Sequence, residues 1–465
     1  MQENRWVIEE AQTAHFSDKR LKKRFIKLID CFAKSPNKSI PGTCKTWKET
    51  LGAYRFFNHK EVTERKILSP HYEATLERIK EERLVLILQD TTEINFRGRK
   101  SMKGMGYLGD EKSQGFYLHA SLAVTPERLC LGLTDVQMWR REKLGVRGQR
   151  KERPIEQKES YRWLKGYEAA NEIALKVPET TVISVADREG DIYEVLEKMP
   201  SKANEAYWII RSSLNRKTLE GDLKLREMVA KSPVVKEIEF QLPAGKVYKR
   251  DKSKRTERKR RTVRQEVRTC QVKLCPPKRQ GRRLDPITIQ VIHCVEKDPP
   301  NDQDKVEWFL LTSLPVHDSQ TVTDIVNWYL CRWQIEVFFK TLKSGCLIEK
   351  LQFESFKATS NCIALYMIIA WRILYLTTLG RLCPEIECDC VFEPDEWQSV
   401  YSVFTKKPPP QKPSALNEII LMIAKLGGFL GRTGDEYPGP KVMWIGIQRM
   451  RDFTLAWGTF KHLKI

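Results

Sequence analysis

Residues 323–345 read TDIVNWYLCRWQIEVFFKTLKSG and predict one helix, because no proline or glycine interrupts them before Gly345. At about 100° of rotation per residue, five side chains fall within a sector of roughly 80°. These five are Tyr329, Arg332, Glu336, Lys340 and Lys343. An adjacent sector is apolar and contains Trp328, Cys331, Ile335, Phe338, Phe339 and Leu342. The helix is therefore predicted to carry a core stripe beside a stripe of one phenol, three cations and one carboxylate.

Two interpretations of the polar stripe are open. A solvated helix face with i,i+4 ion pairs, each worth about 0.3–0.5 kcal/mol, gives the same pattern. A binding or catalytic face is the alternative. Tyr329 and Trp333 lie on or beside the stripe. A solvated face has no need of large aromatic side chains, and this favours the second interpretation.

The bulk composition predicts a folded protein with a polyanionic partner. The 465 residues include 12 tryptophans, are 41% hydrophobic and carry a net charge of +21. A chain of this length can form two or three domains with sizeable cores. The positive charge favours nucleic acid first and an anionic membrane second.

The cysteines and the N-terminus predict a bacterial cytoplasmic protein. None of the 12 cysteines forms a C-x2-C pair, so we expect reduced thiols and no structural zinc site. MQENRWVIEE at residues 1–10 is charged and has no apolar core, unlike a signal peptide. The longest apolar run, residues 363–373, contains Arg372 and is too short to span a membrane.

Two short apolar runs each end in an aspartate. LVLILQ at residues 84–89 precedes Asp90, and TTVISVA at residues 180–186 precedes Asp187. Such runs predict buried strands, and an Asp at a strand exit commonly holds a metal or a substrate. An ordinary turn Asp is the alternative. Two strand–Asp units followed by the Glu336 helix predict an α/β fold with a ribonuclease-H-like mixed sheet core.

The regions around this core differ in composition. Residues 1–75 are predicted to be helical and to bind DNA, with cations Arg20, Lys23 and Arg24 on an amphipathic helix at 15–33. An ordinary surface helix fits that pattern too. Residues 76–350 form the predicted core and residues 351–465 a helical C-terminal domain, in which residues 383–414 are expected to be irregular.

A β-rich insertion is predicted at about 215–305, with strands at 234–242, 264–274 and 287–295. Residues 246–283 contain 17 Lys/Arg against 3 Asp/Glu, a net charge of +14. Because this run lies between strands, we expect a loop that binds phosphates, although a disordered basic tract has the same composition. The candidate DNA contacts in this loop are Lys254, Arg258 and Arg260.

Three motifs resemble one family. The spacing Tyr-x2-Arg-x3-Glu-x6-Lys, the segment DREGDIY at 187–193 and the segment GAYRFF at 52–57 resemble the Asp-Asp-Glu transposases of bacterial insertion sequences. The similarity is to the insertion-sequence-four family, which includes the transposon-five transposase. It implies that Asp90, Asp187 and Glu336 are catalytic metal ligands. It also implies that transposon-end phosphates contact Tyr329, Arg332, Lys343 and Arg211, and that Trp308 accepts a flipped base.

The acidic triad predicts metal-dependent phosphodiester chemistry. Three carboxylates at one point repel one another unless divalent cations neutralise them, and hard oxygen ligands suit Mg²⁺ or Mn²⁺. Two such ions can activate a water or a 3′-hydroxyl and stabilise the leaving oxygen. The cations around Glu336, Lys340 among them, would then bind the flanking phosphates. No Walker-type loop is present, so no nucleotide cofactor is expected.

The resemblance implies a cut-and-paste DNA transposase. Residues 1–75 would bind the double-stranded transposon ends, and residues 351–465 would pair two protomers. This homodimer would form hairpins at the paired ends and then join them to target DNA. We expect it near the bacterial nucleoid and away from membranes. Two alternatives are a ribonuclease-H-fold nuclease or resolvase acting on branched DNA, and a non-catalytic DNA-binding regulator derived from a transposase.

Overall fold

The computed structural model describes most of the chain. The described residues are 3–44, 46–96, 102–109, 113–142, 153–202, 204–221, 223–242, 245–248, 255–279, 283–301 and 304–460, without the side chains of 245–248 and 255–258. The chain forms two compact units. The first contains Met1–Gly145 and Trp333–Ile465, and the second contains Val146–Arg332. Domain boundaries at residues 75 and 350 remain a prediction.

The N-terminal part of the first unit is helical. Its helices are α1 (Arg5–Glu10), α2 (Lys19–Ala33), α3 (Ile40–Thr43), α4 (Trp47–Asn58) and α5 (Glu64–Lys80). Helix α2 begins at Lys19, within the predicted range 15–33, because the Asp18 carboxylate caps it by accepting the Arg20 N–H at 2.8 Å. Phe25, Leu28 and Phe32 are buried along one face, which confirms the predicted amphipathic helix.

The sheet of the first unit is antiparallel. Its strands are β1 (Leu84–Asn95), β2 (Gly106–Tyr107), β3 (Gln114–Val124) and β4 (Cys130–Trp139). Strand β3 is central and pairs with each of the other three. The turn between β3 and β4 is closed by the Thr125 N–H, which donates to the Leu129 carbonyl at 2.9 Å.

The second unit carries a mixed sheet. Its elements are α6 (Tyr161–Lys176), β5 (Thr181–Ala186), α7 (Tyr193–Leu196), β6 (Tyr207–Arg211), α8 (Leu225–Ala230), β7 (Val234–Leu242), β8 (Gly245–Tyr248), β9 (Arg255–Arg258), β10 (Arg261–Leu274), β11 (Ile287–Glu296), β12 (Glu307–Thr312) and α9 (Ser319–Cys331). The strand order is β5-β6-β12-β11-β10-β7. Strands β5 and β6 are parallel and the later pairs are antiparallel, while β8 and β9 form a separate hairpin.

The chain then returns to the first unit. The remaining elements are α10 (Trp333–Lys340), a π-helical turn (Thr341–Gly345), α11 (Phe356–Leu382), α12 (Pro394–Thr405), α13 (Leu416–Leu426) and α14 (Pro440–Phe460). Helix α11 is long and apolar enough to cross a membrane, contrary to the prediction from residues 363–373. Most of its length is buried against α2, α4, α5, α13 and α14, which is the packing of a core helix.

The predicted fold class is confirmed: a ribonuclease-H-like mixed sheet core with a β-rich insertion and helical N- and C-terminal regions. Two local predictions are wrong. The helix predicted at 323–345 is interrupted at Arg332, whose N–H donates to the Tyr329 carbonyl in a tighter i→i−3 bond. The stretch 383–414, predicted to be irregular, contains α12, which begins with a capping box between Glu393 and Glu396.

Candidate active site

Asp90 lies within β1, not at its exit. Residues 91–95 continue the strand, because β-branched Thr91, Thr92 and Ile94 stay paired with β3 as far as Asn95 opposite Gly115. The Asp90 carboxylate accepts the Thr91 N–H at 2.7 Å. The predicted position at a strand end is therefore wrong for Asp90, although the strand itself is present.

Glu336 lies in the first turn of α10, and α10 packs against β1 in the same unit. The apolar stripe predicted for this helix is confirmed, since Ile335, Phe338 and Phe339 are buried. Glu336 itself is partly exposed. The first unit thus contributes Asp90 and Glu336 from two packed elements.

Lys340 and Lys343 follow Glu336 in different environments. Lys340 is exposed at the end of α10, whereas Lys343 is half-buried in the π-helical turn. Burial lowers the pKa of Lys343, and the carboxylates of Glu349 and Glu93 oppose that shift in part. Glu349 is fixed by the Asn95 N–H, which donates to it at 2.9 Å. Lys343 is consequently a cation held in place beside the end of β1.

Asp187 lies where the sequence predicted it, directly after β5. Its carboxylate accepts the Glu189 N–H at 2.8 Å and caps a short 3-10 turn, Arg188–Gly190. Strands β5 and β6 run parallel with Ala186 opposite Ile210. One residue further along, Asp187 follows β5 and Arg211 ends β6. The ends of parallel strands meet at one edge of a sheet. The second unit therefore places a carboxylate and a guanidinium at neighbouring positions.

Arg211 belongs to a cationic cluster. Its guanidinium donates to the Glu307 carbonyl at 3.4 Å and lies beside the Tyr329 hydroxyl. Burial lowers the pKa of Arg211, and the positive charges of Arg188 and Arg332 lower it further. Arg211 thus lies within the influence of two further guanidinium groups, and such a grouping suits phosphate oxygens.

Tyr329 is the buried member of the predicted polar stripe. It is only 5% exposed and its hydroxyl faces Arg211, which argues against a solvated face at this position. Its ring centroid lies 6.4 Å from that of Trp308, with the planes tilted by 55°. Trp308, on β12, is half-buried and stacks on Phe240 of β7 at 5.6 Å. Tyr329 therefore contacts both the Trp308–Phe240 pair and Arg211 within the second unit.

The predicted N-terminal DNA contacts differ in exposure. The Arg20 side chain is 92% exposed and forms an ion pair with Asp18, and Lys23 is exposed. Arg24 instead packs against α4, where a Cβ on Gly52 would lie 2.7 Å from its guanidinium carbon. Gly52 is therefore required for this close approach, and Arg24 is partly a packing residue.

The basic insertion is described in part. Lys254 lies outside the described residues, as does the side chain of Arg258, and Arg260 is exposed between β9 and β10. The next residue, Arg261, is different, because it forms an ion pair with the buried carboxylate of Glu296. Sequence reasoning could not separate the exposed arginine from the paired one, since both lie in the same cationic run.

The 12 cysteines are all free thiols, as predicted.

Sequence reasoning missed two buried acidic residues beside the Asp187 turn, Asp191 and Glu194. Glu194 forms a bidentate ion pair with Arg279, at 2.8 and 3.3 Å, and Asp191 pairs with Arg216. Asp191 lies in the motif DREGDIY, and no role was predicted for it. Its place in that motif was the only indication from sequence that it matters.

Three family models match separate parts of the chain. The model described as transposase DNA-binding matches residues 3–62, transposase DDE domain matches 165–372, and transposase Tn5 dimerisation domain matches 368–457. The chain belongs to the DDE transposases. The match to the DDE domain contains Asp187 and Glu336 and begins after Asp90.

A solved structure is also similar to the transposase, although distantly. The cryo-EM structure of the piggyBac transposase synaptic complex with hairpin DNA is 9% identical, with a TM-score of 0.37, over 99% of this chain and 79% of that one. The family models support a transposase over the nuclease and regulator alternatives, because DNA-binding, catalytic and dimerisation models all match. The transposase binds DNA, dimerises and acts in the cytoplasm.

Membership of this family implies dependence on a divalent metal ion. Asp90, Asp187 and Glu336 fit such an ion by chemistry, since each is partly exposed and offers hard carboxylate oxygens. Across the described ranges, no three His, Cys, Asp or Glu side chains are grouped as a ready-made metal site. The assignment of these three ligands therefore stays a prediction, made from the donor type and the family motif.

Proposed function

We propose that the transposase binds the inverted terminal ends of an insertion sequence and moves it by strand cleavage, hairpin formation and strand transfer. The observation that carries this proposal is the neighbouring position of Asp187 and Arg211 at parallel strand ends, beside Arg188, Arg332 and Tyr329. A carboxylate next to a cationic phosphate site is what phosphodiester chemistry requires.

In this proposal Asp90, Asp187 and Glu336 hold Mg²⁺, with Mn²⁺ accepted, and the bound ions would activate the attacking oxygen and stabilise the leaving one. The Arg211 and Arg332 guanidiniums bind end phosphates, and the Tyr329 hydroxyl holds Arg211 in place. Lys340 and Lys343 bind phosphates next to the scissile bond.

The remaining contacts extend this assignment to DNA outside the active site. Arg20 and Lys23 are exposed within the region that matches the DNA-binding model and would contact the transposon end. Residues 368–457 would pair two protomers in a complex that holds both ends, before target DNA is captured. The protein would act at the nucleoid, without a nucleotide cofactor and without a membrane.

A strand-cleavage assay tests this proposal. Its substrate is DNA that contains both ends of the element together with the flanking genomic sequence. Asp90→Asn, Asp187→Asn and Glu336→Gln should each abolish cleavage while gel shifts still show specific end binding. The matched control is Glu179→Gln, which removes an exposed carboxylate at the opposite end of β5 and should cut normally. Cleavage by any of the three variants would remove that residue from the site.

A second assay separates the transposase from a resolvase. Pre-cut ends should be joined to a target plasmid in the presence of Mg²⁺, because a transposase uses the freed 3′-hydroxyl as its next nucleophile. Cutting of branched DNA without joining of ends would support the nuclease alternative instead.

A further inference from the structure

Asp191 is the most heavily hydrogen-bonded carboxylate near the Asp187 turn. Its side chain is fully buried in the second unit. One oxygen, Oδ2, accepts the Ser213 N–H at 2.7 Å, the Leu214 N–H at 2.9 Å and the Ser213 hydroxyl at 3.2 Å. The other oxygen, Oδ1, binds the Arg216 guanidinium at 2.5 and 3.1 Å. Oδ2 therefore binds the backbone of a loop, and Oδ1 pairs with the buried cation of Arg216.

The loop that Asp191 binds begins where β6 ends. Arg211 is the last residue of β6, and the loop residues Ser213, Leu214 and Arg216 follow it directly. Arg216 also donates to the Asp191 carbonyl at 2.8 Å, so the attachment involves main chain as well as side chain. Loss of the carboxylate would leave two backbone N–H groups and one buried cation without their acceptor.

The other side of the attachment is the turn that begins at Asp187. The Asp191 N–H donates to the Arg188 carbonyl at 3.4 Å, and the Ile192 N–H donates to the Gly190 carbonyl at 2.7 Å. Gly190 is in tight contact, since a Cβ there would lie 2.7 Å from the Ala186 Cβ. The turn therefore has little freedom on the β5 side, and Asp191 fixes it on the β6 side.

We propose that Asp191 is a positioning residue, which locks the turn carrying Asp187 to the loop that follows Arg211. The inference rests on the proposed roles of Asp187 and Arg211. It adds that their relative placement depends on one buried carboxylate that touches neither DNA nor metal. A misplacement of about 1 Å at a reacting centre can cost about 10²-fold in rate, so the effect on cleavage should be large.

The experiment compares Asp191→Ala with Glu296→Gln in the full-length transposase. Both substitutions remove a buried carboxylate that pairs with an arginine in the second unit. We expect both to lower the melting temperature. Only Asp191→Ala should reduce cleavage of junction DNA by about 10²-fold and raise the half-saturating Mg²⁺ concentration. Hydrogen exchange in the metal-free protein should become faster at residues 187–192 and 211–216 in that variant alone.

A second pair of variants keeps the test decisive if Asp191→Ala does not fold. An Asn carbonyl can still accept the Ser213 and Leu214 N–H groups, but its amide faces Arg216 unfavourably. Asp191→Asn should therefore cut poorly, and Asp191→Asn combined with Arg216→Met should recover cleavage. Recovery of melting temperature without recovery of cleavage or of the Mg²⁺ requirement would overturn the proposal.

One further variant distinguishes a failure of the Asp191 proposal from a failure of the proposed active site. Asp187→Ala is measured in parallel and should show no cleavage. If Asp187→Ala cuts DNA, the proposed site is wrong. If it is inactive while Asp191→Ala behaves like Glu296→Gln in every assay, only the positioning role of Asp191 is wrong.

Discussion

Trp308 has one face against the protein and is half-buried. Its stack on Phe240 fixes the ring, and a base that leaves the helix could use the remaining surface. Unstacking a base costs a few kcal/mol, and stacking on an aromatic ring returns about 1–3 kcal/mol. We expect Trp308→Ala to nick the first strand normally but to form hairpins about ten- to hundredfold more slowly. Resolving nicked and hairpin products over time on denaturing gels measures both steps.

The control for Trp308 is a DNA end with an abasic site at the flipped position, which should partly restore hairpin formation because no base has to unstack. Phe240→Ala should give a weaker form of the same defect, since it loosens the ring without removing it. Equal slowing of both steps by Trp308→Ala would instead identify a core residue.

His71 links three helices of the first unit through a fully buried ring. Its Nδ1–H donates to Glu10 at 2.6 Å, and its Nε2 accepts the Leu133 N–H at 3.0 Å, so the ring is neutral. Arg78 completes the pair with Glu10 and lies over Trp371, on which His71 also packs. Burial lowers the pKa of His71 below 6.5, outweighing the attraction of Glu10.

The unfolded chain therefore binds a proton near pH 6.5 that the folded protein does not bind until a lower pH, so stability falls as the pH drops below that value. We expect the melting temperature to decrease between pH 7.5 and 5.5, and His71→Gln to reduce that decrease. The slope should not vanish, because burial also lowers the pKa of His293. An unchanged pH dependence in His71→Gln would show that another group is responsible.

At the scale of elements, the basic insertion combines two roles in adjacent residues. Lys259 and Arg260 are exposed after β9, whereas Arg261 is paired with Glu296 across β10 and β11. Replacing Lys254, Arg258, Lys259 and Arg260 with glutamine should flatten the salt dependence of DNA binding without changing sequence preference. Each lost phosphate contact should change the slope of log K against log[salt] by about 0.9. Titrations at several salt concentrations measure this slope.

Arg261→Gln is the contrasting variant for that experiment. It leaves a buried carboxylate without its partner, which costs about 3–5 kcal/mol of stability, and it should leave the salt slope unchanged. A slope that changes for Arg261→Gln and not for the exposed set would place the DNA contact on the sheet and not on the hairpin.

At the scale of the whole molecule, the N-terminal helices share their core with the C-terminal part of the chain. Phe32 packs on Tyr366 of α11 with ring centroids 5.1 Å apart, and the Asn361 amide donates to the Phe57 and Val62 carbonyls at 2.9 and 3.0 Å. A fragment of residues 1–80 should therefore lack a cooperative thermal transition by circular dichroism, in contrast to the full chain. In the full chain, Asn361→Ala should cost about 1–3 kcal/mol.

A sharp melting transition of the isolated fragment, close to that of the full protein, would contradict this expectation. It would show that the region matching the DNA-binding model folds alone and that its contacts with α11 are dispensable.

The sequence by itself determined the strands, the fold class and the position of Asp187. An apolar run that ends in an aspartate, and alternation at 234–242, are patterns among neighbouring residues, so they can be recognised without knowing the fold. The same is true of the charge in the insertion. The family motif added the three carboxylates.

The tertiary structure decided the features whose partners are remote in sequence. Strand β1 continues past Asp90 because β3 supplies its hydrogen bonds, and Tyr329 is buried because Arg211 and Trp308 lie against it. Arg261 differs from Arg260 only because Glu296, 35 residues away, is buried beside it. Asp191 likewise obtains its function from a loop more than 20 residues downstream. Burial and pairing are created by packing, and no local pattern encodes them.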